Sequence, residues 1–230
     1  MPDPIAVCLL SGGPDALVAA ALTARDGFGL AALFADYGQR TAARERDSAR
    51  RCARWLDCRH FREATIGWLA EIGGSVLTSG SGRVDASDAR AEYVPFRNTV
   101  LLSHAVAWAE VLGARRVVIG STGSDRVSPD NSPAYLAAFQ QVVTLGTMAG
   151  AAGRITVSAP LAACTKAEMV RLGTELGVPF ADTWSCQNDG DAACGECNNC
   201  RARQAAFAWH GLADPVREAT GGAVHRATGR

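Results

Sequence analysis

Four cysteines near the end of the chain have a spacing that is typical of a metal site. They form the pattern C-x7-C-x2-C-x2-C and are Cys186, Cys194, Cys197 and Cys200. Four thiolates at this spacing close a tetrahedral site around one zinc ion and leave no open position for a substrate. We therefore predict a structural zinc ion in a small C-terminal knuckle. The alternatives are an iron–sulfur cluster, which also uses four cysteines, and a redox-active thiol pair.

A glycine-rich loop near the start of the chain has the composition of an anion-binding turn. It reads S-G-G-P-D over residues 11–15, after an apolar run and before a helical pattern. Its two glycines let the backbone approach an anion, and the helix start supplies N–H donors and partial positive charge. The loop matches neither the G-x-x-x-x-G-K-S/T pattern of nucleoside triphosphatases nor the G-x-G-x-x-G pattern of dinucleotide-binding proteins. A tight strand-to-helix turn without a ligand is the alternative.

Lys166 is the one lysine among 23 basic residues. It follows Thr165 in the sequence T-K-A-E, in which Thr165 and Glu168 predict a capping box at the start of a helix. An ammonium group is a compact point charge, and at a helix start it can receive phosphate charge together with the backbone N–H groups. Lys166 is therefore a candidate catalytic residue, and a solvated surface side chain is the alternative.

The elements that must position these residues alternate between strands and helices. Apolar runs predict strands over residues 5–10, 30–36, 58–62, 116–120 and 155–158. Helical patterns cover residues 16–25, 41–56, 98–112, 133–146, 165–176 and 201–209. This order predicts an α/β fold with a doubly wound parallel sheet, whose ligand site lies at the carboxyl ends of the strands. Residues 75–92 are rich in serine, glycine and aspartate and predict a long mobile loop, a flap over that site.

Length and charge exclude several classes of protein. The chain has 230 residues and a formal net charge of zero, which argues against non-specific binding to nucleic acids or to a membrane surface. No apolar run approaches the ~20 residues of a membrane span. The start of the chain also lacks the pattern of a signal peptide. We therefore expect a cytoplasmic protein without membrane or nucleic-acid partners.

The glycine-rich loop resembles the PP-loop of the ATP pyrophosphatases, which bind ATP and release pyrophosphate. Along nearly the whole chain, the sequence resembles the 7-cyano-7-deazaguanine synthase family of queuosine-precursor biosynthesis. The matching segments are D-Y-G-Q-R at 36–40, V-P-x-R-N at 94–98, L-G-T at 145–147, A-P-L at 159–161, T-K-A-E at 165–168 and T-W-S-C…C-G-E-C-x-x-C at 183–200. The resemblance implies a Rossmann-like ATP-binding domain of the adenine nucleotide alpha hydrolase type over residues 1–183. A zinc knuckle with a helix packed on the domain would follow over residues 184–212, and a flexible tail over residues 213–230.

The resemblance also implies a reaction and the residues that carry it. The family activates the carboxylate of 7-carboxy-7-deazaguanine with ATP, adds ammonia to form an amide, and activates the amide oxygen so that loss of water gives the nitrile. Catalytic roles then fall to Asp15, Arg97 and Lys166, with Mg²⁺ bound through Asp15. The ATP contacts implied are Leu10, Ser11, Gly12, Gly13, Pro14, Asp15, Ala16 and Leu17. The substrate contacts implied are Phe96, Arg97, Asp125 and Asp130. We also expect a homodimer.

Several residues depart from the family pattern and keep alternatives open. Ala16 stands where the family usually has serine, and Phe96 where it usually has glycine. In the segment over residues 120–135, Asn131, Ser132 and Ala134 replace cysteine, arginine and glutamate. A paralogue that activates a related deazapurine carboxylate, uses a different amine or stops at the amide is one alternative. The others are a PP-loop tRNA-modifying enzyme and a zinc-stabilised binding protein without catalytic activity.

Overall fold

Five strands and eight helices make up most of the part of the chain that the computed structural model describes, residues 3–80, 82–84, 89–124 and 128–216. The strands are β1 (Ile5–Leu9), β2 (Gly29–Asp36), β3 (His60–Thr65), β4 (Arg116–Val118) and β5 (Thr156–Ser158). The helices are α1 (Pro14–Arg25), α2 (Ala42–Trp55), α3 (Trp68–Ile72), α4 (Arg97–Leu112), α5 (Pro133–Gly146), α6 (Met148–Ala151), α7 (Lys166–Glu175) and α8 (Asn198–Ala208). Short 3₁₀ turns lie at Ala89–Glu92, Pro129–Asn131 and Phe180–Asp182.

The strands form one sheet in the order β3-β2-β1-β4-β5, and all four pairings are parallel. Val7 in β1 lies opposite Ala31 on one side and Val117 on the other. The chain therefore winds outwards from β1 in one direction, returns, and winds outwards through β4 in the other. Ligands of doubly wound folds bind at the carboxyl ends of the two strands that flank this reversal. The predicted fold class is confirmed, and the expected ligand site lies beyond β1 and β4.

Helices cover both faces of the sheet because side chains along each strand alternate between two apolar clusters. Along β1, Val7 and Leu9 belong to one cluster, whereas Ala6 and Cys8 belong to the other. The first cluster includes buried residues of α4 and α5, and the second includes those of α1, α2, α7 and α8. A strand buried on both faces is a continuous apolar run, which is why β1 could be identified in the sequence.

Two glycines allow the helices to approach the strand ends closely. Gly12 has a φ of +82°, and a Cβ atom there would lie 2.5 Å from the carbonyl oxygen of Glu45 in α2. A Cβ atom on Gly120 would lie 2.6 Å from the Cα atom of Ala16 in α1. Both distances are shorter than any normal contact. The starts of α1 and α2 can therefore approach the ends of β1 and β4 only because these positions are glycine.

The structure differs from the sequence-based prediction mainly at exposed or very short elements. The third strand runs over His60–Thr65 rather than 58–62, because it is an edge strand with exposed polar side chains and no apolar run. The short helices α3 and α6 were not predicted, and α8 begins at Asn198 instead of residue 201. No helix among the described residues is long and apolar enough to cross a membrane.

The predicted flap and the predicted tail have specific anchors in their described parts. In the flap, Leu77 and Val84 are buried, and the amide of Val76 donates to the carbonyl oxygen of Ala91. Residues 81 and 85–88 of the predicted flap lie outside the described residues. At the start of the tail, the Asp214 carboxylate accepts two hydrogen bonds from the Arg203 guanidinium at 3.0 and 2.8 Å. The tail beyond residue 216 also lies outside the described residues.

Candidate active site

A cavity of about 490 Å³ lies at the carboxyl ends of β1 and β4, where the sheet order reverses. Its walls come from the glycine-rich loop, the segment after β2, the starts of α4 and α7, and the start of α8. Its polar lining includes Ser11, Asp15, Tyr37, Gln39, Glu45, Glu92, Arg97, Asn98, Lys166, Gln187 and Asn198. The cavity has the position and the size expected of a small-molecule site in this fold.

The glycine-rich loop turns directly into α1 at the edge of this cavity. Gly13 has an extended backbone and Pro14 is the first helical residue, a position where its missing N–H group removes no helix bond. The first-turn amides of a helix lack intrahelical acceptors, and they carry partial positive charge. Of the predicted ATP contacts, Leu10, Ser11, Gly13, Pro14, Asp15 and Ala16 line the cavity. Gly12 and Leu17 do not, and the Gly12 carbonyl accepts from the Ser48 hydroxyl and the Trp184 amide instead.

Lys166 joins the starts of α1 and α7 across the cavity. Its Nζ atom lies 2.7 Å from Oδ2 of Asp15, and both side chains are about three-quarters buried. The capping box at Thr165 and Glu168 is confirmed, since the Thr165 amide donates to the Glu168 carboxylate at 2.7 Å and the Thr165 hydroxyl accepts from the Glu168 amide. The cavity is therefore bordered by two helix N-termini and one ammonium group, an arrangement that attracts anions.

Arg97 forms part of a second polar wall. Its guanidinium donates to the Tyr37 hydroxyl at 3.0 Å and lies over the Tyr37 ring, 5.3 Å from the ring centre. Behind Tyr37, the Gln39 side chain accepts from the Tyr37 amide and donates to Glu45. Glu45 also accepts from the Thr41 hydroxyl at 2.6 Å. Burial raises the pKa of Glu45 and of Tyr37 above their ordinary values, and the neighbouring Arg97 charge opposes both shifts.

Three residues that line the cavity were not identified from the sequence: Tyr37, Gln39 and Glu45. The D-Y-G-Q-R motif was a signal for the first two, since it places polar groups directly after β2. Glu45 lies one helical turn into α2, and nothing in its sequence surroundings indicates that it faces a cavity.

Three predicted substrate residues lie outside the cavity lining or outside the described residues. Asp130 is buried, and its carboxylate accepts from the backbone amide of Asn98 at 2.9 Å, so it fixes the first turn of α4 next to Arg97. Phe96 is 59% exposed and does not line the cavity. Asp125 lies outside the described residues. Of the three described members of this group, Arg97 alone lines the cavity.

Phe96 is expected to be strained, because its φ is +59° in the left-handed region. A residue with a Cβ atom is disfavoured there by about 1 kcal/mol relative to glycine. We expect Phe96→Gly to melt about 2–4 °C above Phe96→Ala, since neither variant keeps the exposed ring and only one relieves the strain. Differential scanning calorimetry checks this difference. A Phe96→Gly melting temperature at or below that of Phe96→Ala would argue against strain at this position.

The four C-terminal cysteines converge on one point. Their four Sγ atoms all lie within 4.8 Å of one another, and the Sγ atoms of Cys194 and Cys200 are 3.9 Å apart. Burial raises the pKa of the Cys194 thiol, but hydrogen bonds from the Asn188 side chain and from the amides of Glu196 and Cys197 outweigh it, and the net pKa is lowered. Donors around a sulfur atom stabilise the thiolate form, which is the form that binds metals. The cluster can therefore hold a metal ion.

The remaining cysteines lie apart from this cluster. Cys8 and Cys52 are buried, whereas Cys58 and Cys164 are partly buried. Burial raises the pKa of Cys52 and of Cys58 to about 12, so both thiols stay protonated near neutral pH. The pKa of each of the four thiols is raised by burial, so none of them is activated as a redox thiol.

Comparison with known proteins identifies the family over most of the chain. The model of the family described as "Queuosine biosynthesis protein QueC" matches residues 5–211. Proteins named 7-cyano-7-deazaguanine synthase are 43% identical in Methanospirillum hungatei (92% of this chain, 98% of the relative) and 44% identical in Thiobacillus denitrificans (94% and 99%). Among solved structures, NMN synthetase from Francisella tularensis matches 92% of this chain and 78% of its own with a TM-score of 0.47 and 16% identity, too distant to add an argument. The chain therefore belongs to the queuosine biosynthesis protein QueC family.

Proposed function

We propose that this chain is an ATP-dependent carbon–nitrogen ligase that converts 7-carboxy-7-deazaguanine into 7-cyano-7-deazaguanine with ammonia. The structural observation that carries the proposal is the cavity at the strand-order reversal, bordered by two helix N-termini and by Lys166. The relatives named 7-cyano-7-deazaguanine synthase, 43% and 44% identical over nearly their full length, support the same function. No described feature favours the alternatives of a tRNA-modifying enzyme or a binding protein without catalytic activity.

The proposed reaction uses two activations of one carbon atom. A carboxylate oxygen attacks the α-phosphorus of ATP, pyrophosphate leaves, and ammonia then displaces AMP from the acyl-adenylate to give the amide and a proton. The amide oxygen attacks the α-phosphorus of a second ATP, pyrophosphate leaves again, and loss of AMP and of both N–H protons forms the C≡N bond. Both activations need negative charge to be stabilised on the departing pyrophosphate, a task suited to preorganised N–H donors and cations.

We assign the first task, binding the triphosphate, to the glycine-rich loop and to Lys166. The loop amides and the start of α1 receive phosphate oxygens, and the Lys166 ammonium turns from Asp15 to the phosphates as charge develops there. Asp15 would hold Mg²⁺, which supplies further neutralisation of the phosphate charge when bound. We assign recognition of the substrate carboxylate to Arg97, whose guanidinium offers paired donors at the cavity wall. Asp130 contributes indirectly, through the start of α4.

For the cysteine cluster we propose zinc. With a Zn–S bond of about 2.3 Å, two sulfur atoms of a tetrahedral site are separated by about 3.8 Å. The observed 3.9 Å between Cys194 and Cys200, and the limit of 4.8 Å for the set, agree with four thiolates around one ion. In a four-iron cluster each thiolate binds a different iron atom, which requires wider separations. Zinc bound by four thiolates is structural and takes no part in the reaction.

The proposed organisation follows the sequence. Residues 1–183 form the ATP-binding domain, and residues 184–212 form the knuckle and the helix packed on it. Cys186, Cys197 and Cys200 share the apolar cluster of β1 and α4, so the knuckle belongs to the core of the domain. Free thiols that serve as metal ligands fit the reducing cytoplasm. Exposed apolar side chains in α4, α5 and α6, namely Val111, Val142, Leu145 and Met148, support a homodimer.

Identification of the reaction product tests the proposed function. With 7-carboxy-7-deazaguanine, ATP, Mg²⁺ and ammonium, we expect the nitrile by mass spectrometry and two AMP per nitrile formed. The same base without its carboxylate serves as the control and should release no pyrophosphate. One AMP per turnover with accumulated amide would identify an enzyme that stops at the amide. Absence of pyrophosphate release from the metal-loaded protein would contradict the proposed substrate.

A further inference from the structure

Side chains next to the metal-ligating cysteines extend from the knuckle to the segment that precedes α4. Gln187 and Asn188 follow Cys186, and Glu196 and Asn198 flank Cys197. Each of the four contacts residues 82–84 or 89–92, which we call the anchored segment. These contacts tie the knuckle to the anchored segment, and two of the four side chains, Gln187 and Asn198, also line the cavity.

Asn188 makes the most specific of these contacts. The Val84 amide donates to Oδ1 of Asn188 at 2.8 Å, and Nδ2 of Asn188 donates back to the Val84 carbonyl oxygen at 2.7 Å. The same Nδ2 atom also donates to Sγ of Cys194 at 3.3 Å. Asn188 is 7% exposed and Val84 is 3% exposed, so water does not compete for these groups. A carboxamide has both a donor and an acceptor, and this pair of bonds needs both.

Glu92 receives the second set of contacts. Its carboxylate accepts from Nε2 of Gln187 at 2.6 Å and from Nδ2 of Asn198 at 2.7 Å. Glu92, Gln187 and Asn198 all line the cavity. A salt bridge of 2.9 Å between Arg83 and Glu196 adds a third, exposed contact. The anchored segment is thus fixed to the knuckle on both sides of the gap between its two described parts.

The anchored segment leads directly to the proposed carboxylate-binding residue. Tyr93 follows Glu92, and its hydroxyl accepts from the Phe96 amide at 3.1 Å. The Arg97 amide donates to the Val94 carbonyl oxygen, and α4 starts at Arg97. A shift of Glu92 therefore moves the backbone that positions the Arg97 guanidinium.

We propose that Asn188 and Glu92 are positioning residues, through which the metal-loaded knuckle sets the substrate-binding wall of the cavity. The inference rests on the proposed function for the identity of the substrate, but the coupling itself is a property of the fold. The Cys194 sulfur atom accepts from the Asn188 amide and fixes its orientation, and the amide fixes Val84. Gln187 and Asn198 fix Glu92. Binding of the carboxylate substrate then depends on the knuckle, whereas ATP binds to the glycine-rich loop.

The test compares Asn188→Ala with Asp189→Ala in the zinc-loaded protein. Asp189 is the next residue, is exposed and belongs to no proposed site, so it controls for changes to the loop itself. We expect Asn188→Ala to keep one zinc per chain and to exchange the Val84 amide hydrogen at least about tenfold faster than wild type. We expect its KM for the carboxylate to rise about tenfold while its KM for ATP stays within about twofold. Asp189→Ala should match wild type in all four measurements.

Two outcomes would overturn the proposal. One is unchanged Val84 exchange and an unchanged KM in zinc-loaded Asn188→Ala. The other is loss of zinc in proportion to loss of activity, which would make Asn188 a support for the metal only. Glu92→Gln leaves the surroundings of the cysteines intact and removes one acceptor, so it should raise the same KM even where Asn188→Ala folds poorly. The exchange comparison needs no substrate, and a wild-type protein without turnover would count against the proposed function alone.

Discussion

Cys197→Ser is expected to abolish metal binding and to leave no cooperative unfolding transition near 25 °C. Structural zinc sites contribute about 10–16 kcal/mol of folding free energy, whereas a whole domain is stable by only about 5–15 kcal/mol. Cys197 is fully buried and shares its apolar cluster with β1 and α4. Opening the knuckle therefore exposes part of the main core. Elemental analysis and circular dichroism test this: wild type should contain about one zinc per chain and unfold in one transition.

The control for this variant is Cys164→Ser, which removes a partly buried thiol that lies outside the cluster. It should keep one zinc per chain and melt within a few degrees of wild type. Stripping zinc from wild type with a chelator should reproduce the Cys197→Ser result. An unchanged melting curve after complete removal of zinc would show that the core holds the knuckle without the metal.

Elements that depend on interactions between residues close in the chain could be predicted from the sequence. β1 is an apolar run because it is buried on both faces, and α7 starts directly after its N-cap Thr165 because the capping box is encoded within four residues. The cysteine spacing predicted a cluster because ligands separated by two residues lie close together in any tight turn. Alternating strands and helices predict a parallel, doubly wound sheet but not the order of its strands. The reversal of that order between β1 and β4 is seen only in the structure.

Contacts between distant segments could not be predicted from one sequence. The Lys166–Asp15 pair joins residues 151 positions apart, and the Asn188–Val84 pair joins residues 104 positions apart. Nothing local to either member indicates the other. The prediction of a long mobile flap over residues 75–92 missed the contacts that hold this segment in place, because their partners are distant in the sequence. Its polar composition is typical of a loop, but its buried Val84 and its contacts with the knuckle depend on the tertiary fold.

The Lys166–Asp15 pair also contributes to stability. An exposed lysine on a first helical turn can be removed with little effect, but here the side chain is only 22% exposed and pairs with a carboxylate. Lys166→Ala leaves the Asp15 charge partly buried, and we expect a loss of about 1 kcal/mol, or about 2–4 °C in Tm. The protein remains folded, so its kinetics can still be interpreted.

Lys166→Ala is expected to slow pyrophosphate release by about 10²–10³-fold, the usual effect of removing one preorganised group that stabilises developing charge. Lys166→Arg should lose at least about tenfold, because a planar fork replaces a compact ammonium at a site closed by two helix starts. The double variant Lys166→Met with Asp15→Asn separates catalysis from structure. It removes both charges of the pair, so it should regain the melting temperature of wild type. If it regains the rate as well, Lys166 serves only to neutralise Asp15. We expect the rate to stay low, because the double variant has lost both the Lys166 cation and the proposed Mg²⁺ ligand Asp15, and the start of α7 alone replaces neither.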